Sequence, residues 1–217
     1  MSCELVIWDF NGTLLDDVSV GIDSVNALLS KRGMKTLMGI DEYYAVFGFP
    51  IIDYYRRLGF DFTKESYDTV AHEWVNEYLS RVPEAPLREG ITEVLERIKE
   101  KNVPQMIMSA TEENMLKEQI GFLGIKEYFF EIIGNSDIYA HSKKERAEEW
   151  IKKQDVKNVL FIGDTLHDLQ VANAIGAHCI LLEGGHQSRE VLESSKAFVT
   201  DTKGLLSIIN CDCPQYF

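Results

Sequence analysis

Short apolar runs punctuate the chain: Leu5–Trp8, Gln105–Met108, Ile132–Ile133, Val159–Ile162, Cys179–Leu182 and, more weakly, Ala197–Val199. Several are rich in β-branched residues and are followed by a stretch with helical spacing. Continuous rather than alternating apolar strands imply burial on both faces, hence a parallel sheet covered by helices. Ile91, Val94, Leu95 and Ile98 recur on one side of a helix that feeds the second strand. Glu148, Trp150 and Ile151 belong to another helix, ahead of Val159.

One interval breaks this rhythm. From Asp9 to Gln105 is far longer than a single βαβ crossover requires. The periodicity there predicts helices over Val18 to Arg32, Asp41 to Phe47, Ile52 to Leu58 and Lys64 to Leu79. Gly33, Gly48 and Gly59 follow the first three, as C-terminal caps do, and Pro83-Glu84-Ala85-Pro86 reads as a return linker. The expected division is a core of residues 1–15 and 86–217, with a helical cap domain of residues 16–85 inserted after the first strand.

The 217 residues, 45% of them apolar, are ample for one sizeable core and a smaller second one. A formal net charge of −13 disfavours nucleic acid or an anionic membrane surface as partner. It leaves a small phosphorylated metabolite open, because a local metal or lysine overrides the global field. The N-terminal residues lack the basic start and apolar core of a secretory signal, and no apolar run approaches the roughly 20 residues that span a bilayer. Cys3, Cys179, Cys211 and Cys213 form no CxxC pair. A cytoplasmic protein with reduced thiols is the expectation, as monomer or homodimer.

Ligands of an open parallel sheet bind beyond the carboxyl ends of its strands. Strand one delivers Asp9 there, strand two Ser109, and the strand at Val159–Ile162 delivers Asp164, while Lys143 and Lys144 precede the helix leading into that strand. A carboxylate such as Asp9 can attack phosphorus and split one displacement into two easier ones. Gly12 lets the backbone curl around an anion, so Gly12 and Thr13 are candidates to hold phosphate oxygens. Asp9 with Asp164 makes a hard, oxygen-rich site suited to Mg²⁺. Asp168 either orients a metal-bound water or closes a Thr165-x-x-Asp168 capping box. Ser109, followed by Ala110, is placed to cradle a phosphoryl group, although Ser109-x-x-Glu112 is also a capping box by itself. The five histidines, His186 of "EGGHQS" included, read as surface or satisfied side chains.

Four motifs in this order, Asp9-Phe10-Asn11-Gly12-Thr13, Ser109, a lysine, and Gly163-Asp164-Thr165-Leu166-His167-Asp168, resemble the haloacid dehalogenase superfamily over nearly the whole chain. The chain is most similar to its phosphoglycolate-phosphatase-like members, whose helical cap lies between motifs one and two. The resemblance implies an α/β, Rossmann-like parallel core with the first strand central, and a Mg²⁺-dependent phosphomonoester hydrolase with Asp9 as nucleophile. It implies Mg²⁺ on Asp9, Asp164 and the backbone carbonyl of Asn11, with Asp168 nearby. Ser109 would bind the phosphoryl group, and "HSKKER" favours Lys143 over Lys144 for the third motif. Phe47-Gly48-Phe49-Pro50 and Arg56 are cap features within reach of a substrate, although Arg56 reads more readily as a solvent-facing helix residue.

Asn11 departs from the pattern. Phosphatases of this family usually carry aspartate there, which protonates the leaving oxygen and then activates water, help typically worth roughly 10²–10⁴-fold. An amide does neither, though its backbone carbonyl remains. Four readings stay open: an activated leaving group such as an acyl phosphate; another acid, for instance His186 or a metal-bound water; a weakened enzyme that binds or senses a phosphorylated ligand; or an engineered or deamidating position, since Asn-Gly is labile.

Overall fold

The computed structural model describes residues 3–138 and 143–211. His141 and Cys213 lie outside them. Six strands form one all-parallel sheet: β1 (Leu5–Trp8), β2 (Gln105–Glu112), β3 (Glu131–Asn135), β4 (Val159–Gly163), β5 (His178–Leu182) and β6 (Phe198–Thr200). Their order is β3-β2-β1-β4-β5-β6, so β1 is central and the order reverses beside it. A crevice at such a reversal is where open sheets take ligands.

The alternation of side chains along each strand sorts them into two layers. Val6, Trp8, Ile107, Leu160 and Ile162 pack on one face with α5 (Ile91–Glu100), α6 (Glu113–Phe122) and α10 (Thr202–Asn210). Leu5, Ile7, Met106, Val159 and Phe161 pack on the other, against α7 (Lys143–Ile151) and α8 (Leu166–Ala174). All four β1 side chains are fully covered, each contributing ~1.5–3 kcal/mol relative to exposure. A short α9 (Arg189–Ser194) completes the second half.

Between β1 and β2 run α1 (Val18–Lys31), α2 (Ile40–Val46), α3 (Ile51–Arg57) and α4 (Tyr67–Arg81). They enclose their own apolar cluster, with Val25, Leu28 and Leu29 of α1 against Tyr43, Tyr54, Tyr55 and Val70. α4 starts at Tyr67 rather than Lys64, because the Ser66 hydroxyl caps the Thr69 N–H at 3.1 Å while Asp61 holds Thr63 and Lys64 in a preceding turn. Gly33 and Gly59 take left-handed φ values of +64° and +99° after α1 and α3. Gly48 does not, since α2 ends on extended backbone at Phe47.

β2 is longer than its apolar run. It continues through Ser109-Ala110-Thr111-Glu112, with a register shift against β3 between Met108 and Glu112. Glu112, not Ser109, caps α6, accepting from the Met115 N–H at 3.0 Å. No helix among the described residues is long and apolar enough to cross a membrane.

Candidate active site at the carboxyl edge of the sheet

Asp9 leaves the end of β1 with its N–H bonded to the Ile162 carbonyl at 2.8 Å, which fixes it beside β4. The chain then turns on the Phe10 carbonyl, which accepts from the N–H groups of Leu14 and Leu15 at 2.9 and 3.0 Å. Gly12 takes φ +70°, and a Cβ there would lie 2.3 Å from Asp164 Oδ2. Gly185 presses from the other side, where a Cβ would lie 2.2 Å from the same oxygen. Between these backbones Asp164 accepts from the Thr13 hydroxyl at 2.9 Å and the His186 N–H at 2.6 Å.

Lys143, at the start of α7, is buried and donates to Asp9 Oδ1 and, at 2.5 Å, to Asp168 Oδ1. Lys144 is half-exposed and faces Glu148. Asp168 closes the capping box of α8, its Oδ2 accepting from the Thr165 hydroxyl at 2.7 Å, so one carboxylate both ends a helix and grips the lysine. Oxygens of Asp9, Asp164 and Asp168 lie within 4.8 Å of one another. Burial, with Asp168 nearby, pushes the Asp9 carboxyl well above its ordinary range despite Lys143. Burial likewise raises Asp164, although the neighbouring His186 opposes it. Burial would raise Asp168 too, but Lys143 outweighs it and keeps that carboxylate low. Burial pulls Lys143 down, yet Asp168 and Asp9 together hold its ammonium above the usual value. Of three clustered buried carboxylates, two share one ammonium and Asp164 has none, a donor set of hard oxygens with negative charge to spare, which is what a small divalent cation requires.

A second buried network surrounds Asn11. Its Nδ2 donates to Asp17 Oδ2 at 2.8 Å and to the Tyr78 hydroxyl at 2.7 Å, and its Oδ1 accepts from the Thr111 hydroxyl at 2.6 Å. A carboxylate partner dictates this orientation, because only the amide nitrogen can donate to it. Asp17 also accepts from the Gly12 N–H at 2.8 Å and the Tyr78 hydroxyl at 2.6 Å, and pairs with His186 Nε2 at 3.2 Å. The Tyr43 hydroxyl meets His186 Nδ1 at 2.7 Å. Burial alone would lower His186, but Asp17 beside it prevails and pushes it up to about 9. Burial would raise Asp17, and His186 instead holds it low. His186 is therefore a satisfied histidine, and its partners face the site.

Asp17, Tyr43, Tyr78 and Thr111 are the members that sequence reasoning missed. Asp17 had one signal, an acid adjoining the first motif, which reads equally well as a helix start.

These groups line a cavity of about 170 Å³ that reaches from Asp9, Asn11, Ser109, Ala110 and Lys143 up to the rings of α2, α3 and α4. Ser109 is buried, its Oγ accepting from the Thr111 N–H at 3.2 Å. Phe47 and Phe49 lie on the wall, Phe49 stacked on His167 at 4.4 Å. Gly48 and Arg56 do not line it: Arg56 is exposed and paired with Asp53 at 2.7 Å. Gly12 and Thr13 do not line it either: the Gly12 N–H is bonded to Asp17 and the Thr13 hydroxyl to Asp164.

The haloacid dehalogenase-like hydrolase family profile matches residues 6–182. The chain belongs to that family. Among relatives of this hydrolase, one named for pyrophosphatase activity, PpaX of Caldanaerobacter subterraneus, is 25% identical over 98% of this chain and 97% of its own. A phosphoglycolate phosphatase of Pseudomonas fluorescens is 26% identical over 91% and 76% respectively. A haloacid dehalogenase-like family hydrolase from Streptococcus pneumoniae shares the fold, with a TM-score of 0.76 at 19% identity over 94% of this chain and 97% of that one.

Proposed function

We propose that this hydrolase is a Mg²⁺-dependent phosphomonoesterase of a small metabolite, with Asp9 as its nucleophile. The observation that carries the reading is the buried Asp9 at the end of the central strand, held by Lys143 and flanked by Asp164 and Asp168. In this reading residues 16–85 are a cap over a core of residues 1–15 and 86–217. Asp9, Asp164 and the carbonyl of Asn11 would hold the cation, with Asp168 behind them. When bound, it neutralises phosphoryl oxygens so that an anionic nucleophile can approach an anionic substrate.

An oxygen of Asp9 attacks phosphorus, and the bond to the leaving oxygen breaks with its electron pair going to that oxygen. Lys143 offsets the charge on Asp9 and the phosphoryl group, and the Ser109 hydroxyl orients it. Water then attacks the aspartyl-phosphate, releasing inorganic phosphate and restoring the carboxylate. The Asn11 amide has no proton to give the leaving oxygen, so that proton comes from solvent.

The test is Mg²⁺-dependent phosphate release from a panel of small phosphate esters plus acetyl phosphate, with intact mass confirming asparagine at 11. Multiple turnovers lost in Asp9→Asn are expected. Turnover that survives Asp9→Asn overturns the nucleophile assignment. Binding of phosphate analogues with no turnover of any substrate overturns the enzyme reading in favour of a phosphate-ligand sensor.

A further inference from the structure

The space above Asp9 must accept whatever the phosphoryl group is attached to, and its chemistry is one-sided. Phe47, Phe49, Tyr54, Tyr55 and Trp74 line it, with Ile51 and Met115 between them. Among the described lining residues, Lys143 and His186 are the cations, and each is already engaged, Lys143 by Asp9 and Asp168 and His186 by Asp17. Glu112 adds a negative charge to the lining. Arg57 spends its guanidinium on the Val46 carbonyl at 2.6 Å, and Arg56 faces Asp53. The remaining segments, residues 1–2, 139–142 and 212–217, contain no lysine or arginine. A carboxylate or second phosphate placed here would be buried without a cation to pair with, which costs several kcal/mol.

The cavity of about 170 Å³ has to hold the phosphoryl group as well as what it is attached to, so the attached group is small. Two buried polar atoms on lining residues, the Tyr54 hydroxyl and His167 Nε2, have no hydrogen-bond partner among the described residues. An unmet buried donor or acceptor is a cost that a ligand atom can remove.

Asn11 points the same way from a different direction. Its amide is committed on both ends to Asp17, Tyr78 and Thr111, and it has no proton to transfer. A leaving group must therefore depart as its anion or nearly so. A phenol, with an ordinary pKa near 10, does this far more readily than an aliphatic alcohol, whose pKa is close to the roughly 15.7 of water.

Building on the phosphatase reading, we infer that the substrate is the phosphate monoester of a small, uncharged phenol, its ring held among Phe47, Phe49, Tyr54 and Trp74 and a ring substituent hydrogen-bonded by Tyr54. Phosphoglycolate and pyrophosphate, which suit the names of the relatives, are then poor substrates. Phosphoryl transfer to Asp9 breaks the bond between phosphorus and the phenolic oxygen, the phenolate leaves with the electron pair, and it takes its proton from solvent.

Three measurements on the full chain with Mg²⁺ separate this from the reading beneath it. Acetyl phosphate turnover, with and without Asp9→Asn, tests the phosphatase alone, since that substrate has no ring. Calorimetric titration with benzylphosphonate and with 3-phosphonopropionate then tests the leaving-group space without any turnover. Benzylphosphonate is expected to bind at least ~30-fold more tightly, and equal or reversed affinities overturn the substrate class even if acetyl phosphate is hydrolysed. Finally, kcat/KM is compared for phenyl and hydroxyphenyl phosphates, phosphoglycolate and pyrophosphate. An aryl preference of about 100-fold is expected, and Tyr54→Phe should cost hydroxyphenyl phosphate roughly three- to tenfold while sparing phenyl phosphate. A phosphoglycolate or pyrophosphate preference, or a uniform loss in Tyr54→Phe, overturns the corresponding part of the assignment.

Discussion

Asn11→Asp would put a carboxyl group in place of this amide, and its cost can be worked from the contacts. The Asn11 Nδ2 sits 2.8 Å from Asp17 Oδ2. Aspartate would place a carboxylate oxygen against another at nearly that distance, on the partly buried cavity floor. At an effective dielectric of about 20, two such charges ~3 Å apart repel by roughly 5–6 kcal/mol. The chain escapes by trapping one shared proton, which at pH 7 costs about 4 kcal/mol against an ordinary aspartate pKa near 3.9. His186 on the far side of Asp17 relieves part of this, leaving an expected loss of about 3 kcal/mol, or roughly 10 °C in Tm for a chain of this size. The folded variant then holds a proton that the unfolded chain releases, so the deficit grows as pH rises from 5 to 8. Thermal and urea unfolding at pH 5, 7 and 8 measures it. Swapping the pair, Asn11→Asp with Asp17→Asn, restores one amide facing one carboxylate and should recover most of the loss. The reasoning is refuted if Asn11→Asp alone stays within about 1 kcal/mol of the unaltered protein at pH 7.

Other substitutions probe the rest of the floor. The His186 imidazolium is held up to about 9 from an ordinary 6.5, so its stabilisation is complete below pH 6.5 and is lost as pH rises toward 9. In metal-free buffer the unaltered protein should lose up to about 3 kcal/mol across that window, and His186→Gln should flatten the curve. Lys143→Met leaves Asp9 and Asp168 buried without their ammonium, and urea unfolding should show a loss of roughly 3–5 kcal/mol. Gly12→Ala meets both a left-handed φ and a 2.3 Å approach to Asp164, so at least ~2 kcal/mol of stability and the phosphate-releasing activity should go together. Circular dichroism melts beside the acetyl phosphate assay check this last pair.

The sheet was readable because strands buried on both faces must be apolar throughout, and the residue after such a run is where chemistry can begin. Asp9 and Ser109 directly follow such runs, and Asp164 lies one glycine further on. The rule failed at β2, whose last four residues, Ser109 to Glu112, form no apolar run where they line the cavity. Asp17, Tyr43 and Tyr78 stayed hidden for another reason. Helical periodicity says which side chains share a face, but not that Tyr78 on α4 would meet a residue 61 positions earlier. The aromatic sequence from Tyr43 to Tyr55 is likewise ambiguous, since rings suit a closed core and a ligand wall equally.

The two ends of the cavity differ in what holds them in place. Asp164 lies in a slot whose sides are the main chain at Gly12 and Gly185, with a Cβ excluded from either by more than an ångström of overlap. No choice of larger side chain can retune that slot; it tolerates glycine or it is lost. The opposite wall consists of side chains carried on α2, α3 and α4, where exchanging one ring for another alters shape without moving the backbone beneath. Over many generations of substitution, this chain can therefore reshape that wall while the Asp164 end stays as it is.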